Sequence, residues 1–150
     1  MKILYFTSTG NNLYIAKKLG GELLSIPQLI KNNRFDIEDE SIGIIFPVFY
    51  ANAPKIVREF IEKARFKTDY LFLIASYGSD GDQNAFKILK KAFNKKGMKV
   101  NYTNSVLMVD NYLPMFDMKE EKEIKDDCEI DNQIQVIKED IESRKEFHLN

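Results

Sequence analysis

The hydrophobic residues of this chain switch between two spacings, and that alternation limits its possible folds more than any other feature. Lys2–Phe6, Leu23–Ile26, Ser41–Phe46, Tyr70–Ala75 and Val100–Val109 are short apolar runs with β-branched or aromatic members. Such runs read as strands buried on both faces. Between them Leu13, Ala16 and Leu19 recur at helical spacing, and Gly20-Gly21 stops that helix. Pro54 suits the first turn of a helix carrying Ile56, Val57, Phe60, Ile61 and Ala64 inward. Phe86, Leu89 and Phe93 form the next stripe, closed by Gly97. Ile130, Ile134, Ile137 and Ile141 mark a last amphipathic helix, with a break expected near Cys128. Residues 27–40 look irregular, apart from a helical turn around Leu29-Ile30.

Strands that alternate with helices imply a three-layer α/β architecture, a parallel sheet covered on both faces. Five strands joined by right-handed crossovers fit the doubly wound order 2-1-3-4-5. The chain has 150 residues and reads as a single domain over 1–150. In such a sheet the ligand crevice lies outside the carboxyl ends of the strands, near the switch point between strands 1 and 3. Three loops meet that condition: Thr7–Asn12, Pro47–Ala53 and Ser76–Asp82.

The lone cysteine, Cys128, excludes within this chain a disulfide framework, a four-cysteine zinc site and a cysteine-ligated iron–sulfur cluster. Its charged neighbours in IKDDCEI argue against a reactive thiolate. No apolar run approaches twenty residues, and Met1-Lys2 leads directly into a strand rather than a secretory segment. A cytoplasmic protein with no membrane contact is expected. The net charge of −1 hides an asymmetry, because residues 117–150 hold 12 Asp/Glu against 6 Lys/Arg. That acidic end reads as a solvated helix or as a docking face for a partner. No concentrated basic patch of the nucleic-acid-binding kind is present in the sequence pattern.

Thr7, Ser8, Thr9, Gly10, Asn11 and Asn12 join the first strand to the first helix. Three hydroxyls, a glycine and two carboxamides at a helix N-terminus suit an anion, with neutral donors in place of Lys or Arg. The alternative is an ordinary N-cap. Neither G-x-G-x-x-G nor G-x-x-x-x-G-K-[ST] occurs, which disfavours a Rossmann site and a P-loop NTPase.

The stretch KILYFTSTGNNLYIAKKL resembles the opening of the flavodoxin family. It is most similar to the flavodoxin-like domain that precedes ferredoxin domains in anaerobes, which shares an F-P-V-x-Y stretch after the third strand. The resemblance covers roughly residues 1–112. It implies a flavodoxin-like fold whose first loop wraps the phosphate of FMN. It also implies that Pro47, Val48, Phe49, Tyr50, Ala51 and Asn52 border one face of the flavin ring. Many flavodoxins carry in that loop a glycine whose peptide flips on reduction. This chain has none, and Asn52 is the residue best able to adopt a left-handed conformation there. After the fourth strand, Ser76, Tyr77, Gly78, Ser79 and Gly81 offer close backbone approach and a stacking ring. A solvated turn is the other reading of that segment. Asp80 and Asp82 are candidates for tuning the reduced flavin rather than for binding a metal. Tyr112, Leu113 and Pro114 form a rim or an ordinary loop. His148 reads as part of a frayed tail.

The function expected is FMN binding and electron transfer, with no catalytic side chain and a ferredoxin-type or reductase protein as redox partner. An FMN-dependent NAD(P)H oxidoreductase and a flavin-free interaction module are the rival readings.

Overall fold

Apolar side chains on both faces make the third and fourth of these runs the centre of the sheet. Ile42, Ile44, Ile45 and Phe46 are fully buried, as are Phe72, Leu73, Ile74 and Ala75. The computed structural model of the chain describes residues 1–7, 10–48, 52–77, 83–107 and 120–149. Its elements in order are β1 (Lys2–Tyr5), α1 (Asn11–Leu19), β2 (Glu22–Ser25), α2 (Ile26–Lys31), β3 (Asp36–Glu38), β4 (Ser41–Pro47), α3 (Lys55–Lys63), β5 (Arg65–Lys67), β6 (Tyr70–Tyr77), α4 (Gln83–Lys95), β7 (Tyr102–Leu107), α5 (Glu120–Glu142) and β8 (Phe147–His148).

The main sheet runs β2-β1-β4-β6-β7-β8, with every pair parallel. Its first five strands reproduce the expected 2-1-3-4-5 order. The sixth was not anticipated. β8 pairs Phe147 with Tyr102 and His148 with Thr103, so His148 belongs to an edge strand and not to a frayed tail. A two-residue strand leaves no periodic signal in a sequence, which is why it escapes a pattern reading.

Side chains alternate between the two faces of the sheet. One face packs Ile3, Ile45, Phe72, Ile74 and Val106 against α1 and α5. The other packs Leu4, Ile42, Ile44, Phe46, Leu71 and Leu73 against α2, α3 and α4. On α5, Ile130, Ile134, Ile137 and Ile141 are buried. Each such isoleucine contributes about 1.5–3 kcal/mol. That far exceeds the few tenths of a kcal/mol per like-charge pair that the acids of α5 cost. The helix therefore runs unbroken from Glu120 to Glu142, without the break expected near Cys128.

The stretch read as irregular is ordered. Ser25 accepts a hydrogen bond from Gln28 N and caps α2, with Pro27 in its first turn. β3 then pairs with β5 in a separate two-stranded parallel sheet, tied by Arg65 to both carboxylate oxygens of Asp36. The fifth expected strand is shorter than Val100–Val109, spanning Tyr102–Leu107, with residues 108 and 109 outside those described. Among the described residues, no helix is long and apolar enough to cross a membrane.

Candidate functional site

Parallel register brings three strand ends to one edge. Tyr5 lies opposite Ile45, Pro47 opposite Ser76, and Tyr77 opposite Leu107. The ladder continues past the strands, because Phe6 N donates to Ile45 O at 3.1 Å and Val48 N to Ser76 O at 2.9 Å. Thr7, Pro47, Val48, Ser76 and Tyr77 thus emerge together at the carboxyl edge. Pro47, Ser76 and Tyr77 are strand-terminal residues rather than loop residues, which holds them more rigidly than a loop would. Of the other expected site residues, Ser8, Thr9, Phe49, Tyr50, Ala51, Gly78, Ser79 and Gly81 lie outside the described residues, as do Asp80, Asp82, Tyr112, Leu113 and Pro114.

The N-terminus of α1 is built differently from that of α2. Its N-cap is Gly10, at φ +92°, and no side chain caps the helix. An L side chain would be strained at that φ, although a Cβ there would meet nothing within 4 Å. Gly10 N donates to Thr7 Oγ1 at 2.8 Å, which closes the turn and uses the hydroxyl as an acceptor. Tyr14 N donates to Gly10 O at 3.1 Å. The N–H groups of Asn11, Asn12 and Leu13 have no partner among the described residues. Among the described residues, three donors at the positive end of the helix dipole are left for an outside acceptor.

Asn12 adds a group of the opposite polarity. It is 1% exposed, and its Nδ2 donates to Phe6 O at 2.8 Å. A backbone carbonyl can only accept, so this bond fixes which way the amide faces. Its Oδ1 is then left with no partner, the one such buried side-chain atom among the described residues. An unpaired buried acceptor costs about 1–3 kcal/mol. The sequence places Asn12 among the phosphate donors, but its amide nitrogen is engaged by the protein itself. What it presents is an acceptor, suited to a hydroxyl or N–H and not to a phosphate oxygen.

On the neighbouring loop, Asn52 Oδ1 accepts from Ala53 N at 2.8 Å. Asn52 does not adopt the left-handed conformation. Among the described non-glycine residues only Asn33 and Arg144 do. Ala53 O accepts from Arg58 Nε at 3.2 Å, which ties α3 to this loop. Arg58 was not anticipated as part of the site's frame. Its spacing from Ala53 is that of any helical surface residue, so nothing in the sequence signals it.

The largest pKa shifts among the described residues lie at the opposite, amino edge of the sheet. Burial pushes Tyr70 up to about 12, with the nearby Glu146 carboxylate adding to the effect. Burial raises Tyr102 as well. Both are the first residues of their strands, β6 and β7. Also among the described residues, no group of three or more His, Cys, Asp and Glu side chains is arranged to hold a metal ion.

No protein-family model and no characterised protein matches the sequence. Solved structures do match in shape. A protein from Bacteroides uniformis ATCC 8492 assigned as a flavoprotein superposes with a TM-score of 0.55 at 19% identity, over 72% of this chain and 90% of that one. Another from Bacteroides eggerthii DSM 20697, assigned in the same way, gives 0.53 at 20% identity, over 73% and 88%. The rubredoxin oxygen:oxidoreductase of the anaerobe Desulfovibrio gigas gives 0.54 at 14% identity, over 90% of this chain but 36% of that one. At such identities the likeness speaks to architecture. Together with the strand order, it establishes that the chain has a flavodoxin-like fold.

Proposed function

We propose that this chain binds FMN and carries electrons between protein partners. The observation that supports this most strongly is the pairing of an uncapped helix N-terminus with a buried, unpaired acceptor at the switch point of the sheet. FMN has a group for each. The backbone N–H groups of Asn11, Asn12 and Leu13 and the Thr7 hydroxyl would hold its phosphate. Asn12 Oδ1 would accept from a hydroxyl of its ribityl chain. The strand ends at Val48 and Tyr77 provide apolar and aromatic surface for the ring at the same edge. FMN, when bound, supplies the redox chemistry; this chain anchors, orients and partly covers it. The two Bacteroides neighbours assigned as flavoproteins add support.

A carrier is favoured over a reductase because no proton-transfer residue stands out in the sequence of the three candidate loops. The redox partner in this reading is a ferredoxin-type or reductase protein, and the setting is the cytoplasm. Reconstitution followed by anaerobic titration tests it. One FMN per chain, reducible by dithionite but only slowly by NADH, is the expected outcome. Rapid NADH oxidation by the pure protein would indicate the reductase. A colourless protein that takes up no FMN would falsify both.

A further inference from the structure

Residues 83–99 contain six lysines and no acidic residue. Most of that stretch is α4, which packs beside α3 on the face of the sheet opposite α5. Between the two helices runs an open groove of about 410 Å³. Its apolar lining residues are Ile88, Leu89 and Ala92, of which Ile88 is 37% exposed and Leu89 fully buried. Its cations include Arg58, Lys91 and Lys95. Among the described residues none of these three has a carboxylate within ion-pairing distance, whereas Lys55 and Glu59, also in the groove, pair with each other at 3.7 Å.

We infer that this groove docks an acidic, amphipathic segment of a partner protein. Its carboxylates lie over Arg58, Lys91 and Lys95, and an apolar side chain rests on Ile88 and Ala92. Charge complementarity selects an anionic occupant. The apolar lining residues favour a polypeptide, which offers an apolar side chain beside its carboxylates, over a phosphate backbone, which offers none. The groove opens beside the candidate site, because Lys55 begins α3 directly after Asn52–Pro54 and Arg58 holds Ala53 O. A partner seated there lies next to the cofactor edge. Naming it a redox protein rests on the proposed FMN function, but the docking itself does not.

Fluorescence anisotropy on the full chain tests this with two labelled peptides of equal length and charge. One alternates Glu with Leu at helical spacing, and the other has Ser in place of each Leu. The Glu/Leu peptide should bind at least about tenfold more tightly than the Glu/Ser peptide, and Ile88→Ser should remove that preference. Lys91→Glu with Lys95→Glu should weaken binding at least about tenfold. The milder Lys91→Gln with Lys95→Gln should weaken it less, and guards against misfolding of the reversal. Lys17→Glu with Lys18→Glu, on α1, should leave binding unchanged. No peptide binding, equal loss in the α1 variant, or tighter binding of duplex DNA or phosphatidylserine vesicles through Lys91 and Lys95 would overturn the inference. FMN content, read from flavin absorption, should stay at the wild-type level in every groove variant. If even the wild type takes up no FMN, the redox reading fails while the peptide titration still decides the groove.

Discussion

Gly43 lies opposite Phe72 across the β4–β6 pair, and the Phe72 ring occupies the space where a Gly43 side chain would be. Both positions face α1 and α5, at the centre of the sheet, and Phe72 is fully buried there. Gly43 has no positive φ, so the constraint is steric and not conformational. Gly43→Ala should destabilise the fold by about 1–3 kcal/mol, the usual cost of overpacking. Urea denaturation measures it, and Phe72→Leu in the Gly43→Ala background should recover part of the loss. A neutral Gly43→Ala would mean that the ring moves aside freely.

The amino edge should govern alkaline stability. Tyr70 OH donates to Lys145 O at 2.6 Å, and Tyr102 OH donates to Asp140 Oδ2 at 2.7 Å. Burial raises both pKa values, Tyr70 from 10.0 to about 12. The folded state therefore holds these protons more tightly than the unfolded state does. The Tyr70 contribution is present in full below pH 10 and is lost as pH rises towards about 12, and that of Tyr102 is lost in the same direction. Denaturation midpoints of the wild type should fall across that window. The Tyr70→Phe, Tyr102→Phe double variant should fall less steeply there, while losing about 1 kcal/mol per hydroxyl at neutral pH.

Lys96 should stabilise α3 from a distance in sequence. Its Nζ donates to the carbonyls of Glu62 and Ala64, both at 2.8 Å, at the C-terminal end of that helix. Those carbonyls have no partner within the helix, and a cation there also meets the negative end of its dipole. Lys96→Met keeps the aliphatic stem and should cost about 1 kcal/mol. A thermal shift no different from the wild type would show that water serves these carbonyls equally well.

How much of this was legible follows from the residues themselves. The buried runs of β4 and β6 and the isoleucine stripe of α5 are periodic, and period is what a sequence displays. The strand order followed from them through the handedness of crossovers. β8 and β3 escaped, because two or three residues carry no period and are held by tertiary contacts. Ser25, Pro27 and Gln28 do spell out a cap for α2, a signal present but outweighed by the polar residues around it. At the candidate site, Thr7, Gly10 and Asn12 were singled out by residue type. The direction of the Asn12 amide was not, because it depends on where Phe6 O ends up.

Gly10 and the helix it opens carry the proposed phosphate contact, and comparing FMN with riboflavin tests that contact most directly. The two ligands share ring and ribityl chain and differ in the phosphate alone. Two charge-assisted hydrogen bonds at about 1.5 kcal/mol each correspond to roughly a hundredfold in affinity. Titration of the apoprotein, followed by flavin fluorescence, should therefore give FMN at least about a hundredfold tighter than riboflavin. Equal affinities, or no binding of either flavin, would contradict a phosphate held at the N-terminus of α1.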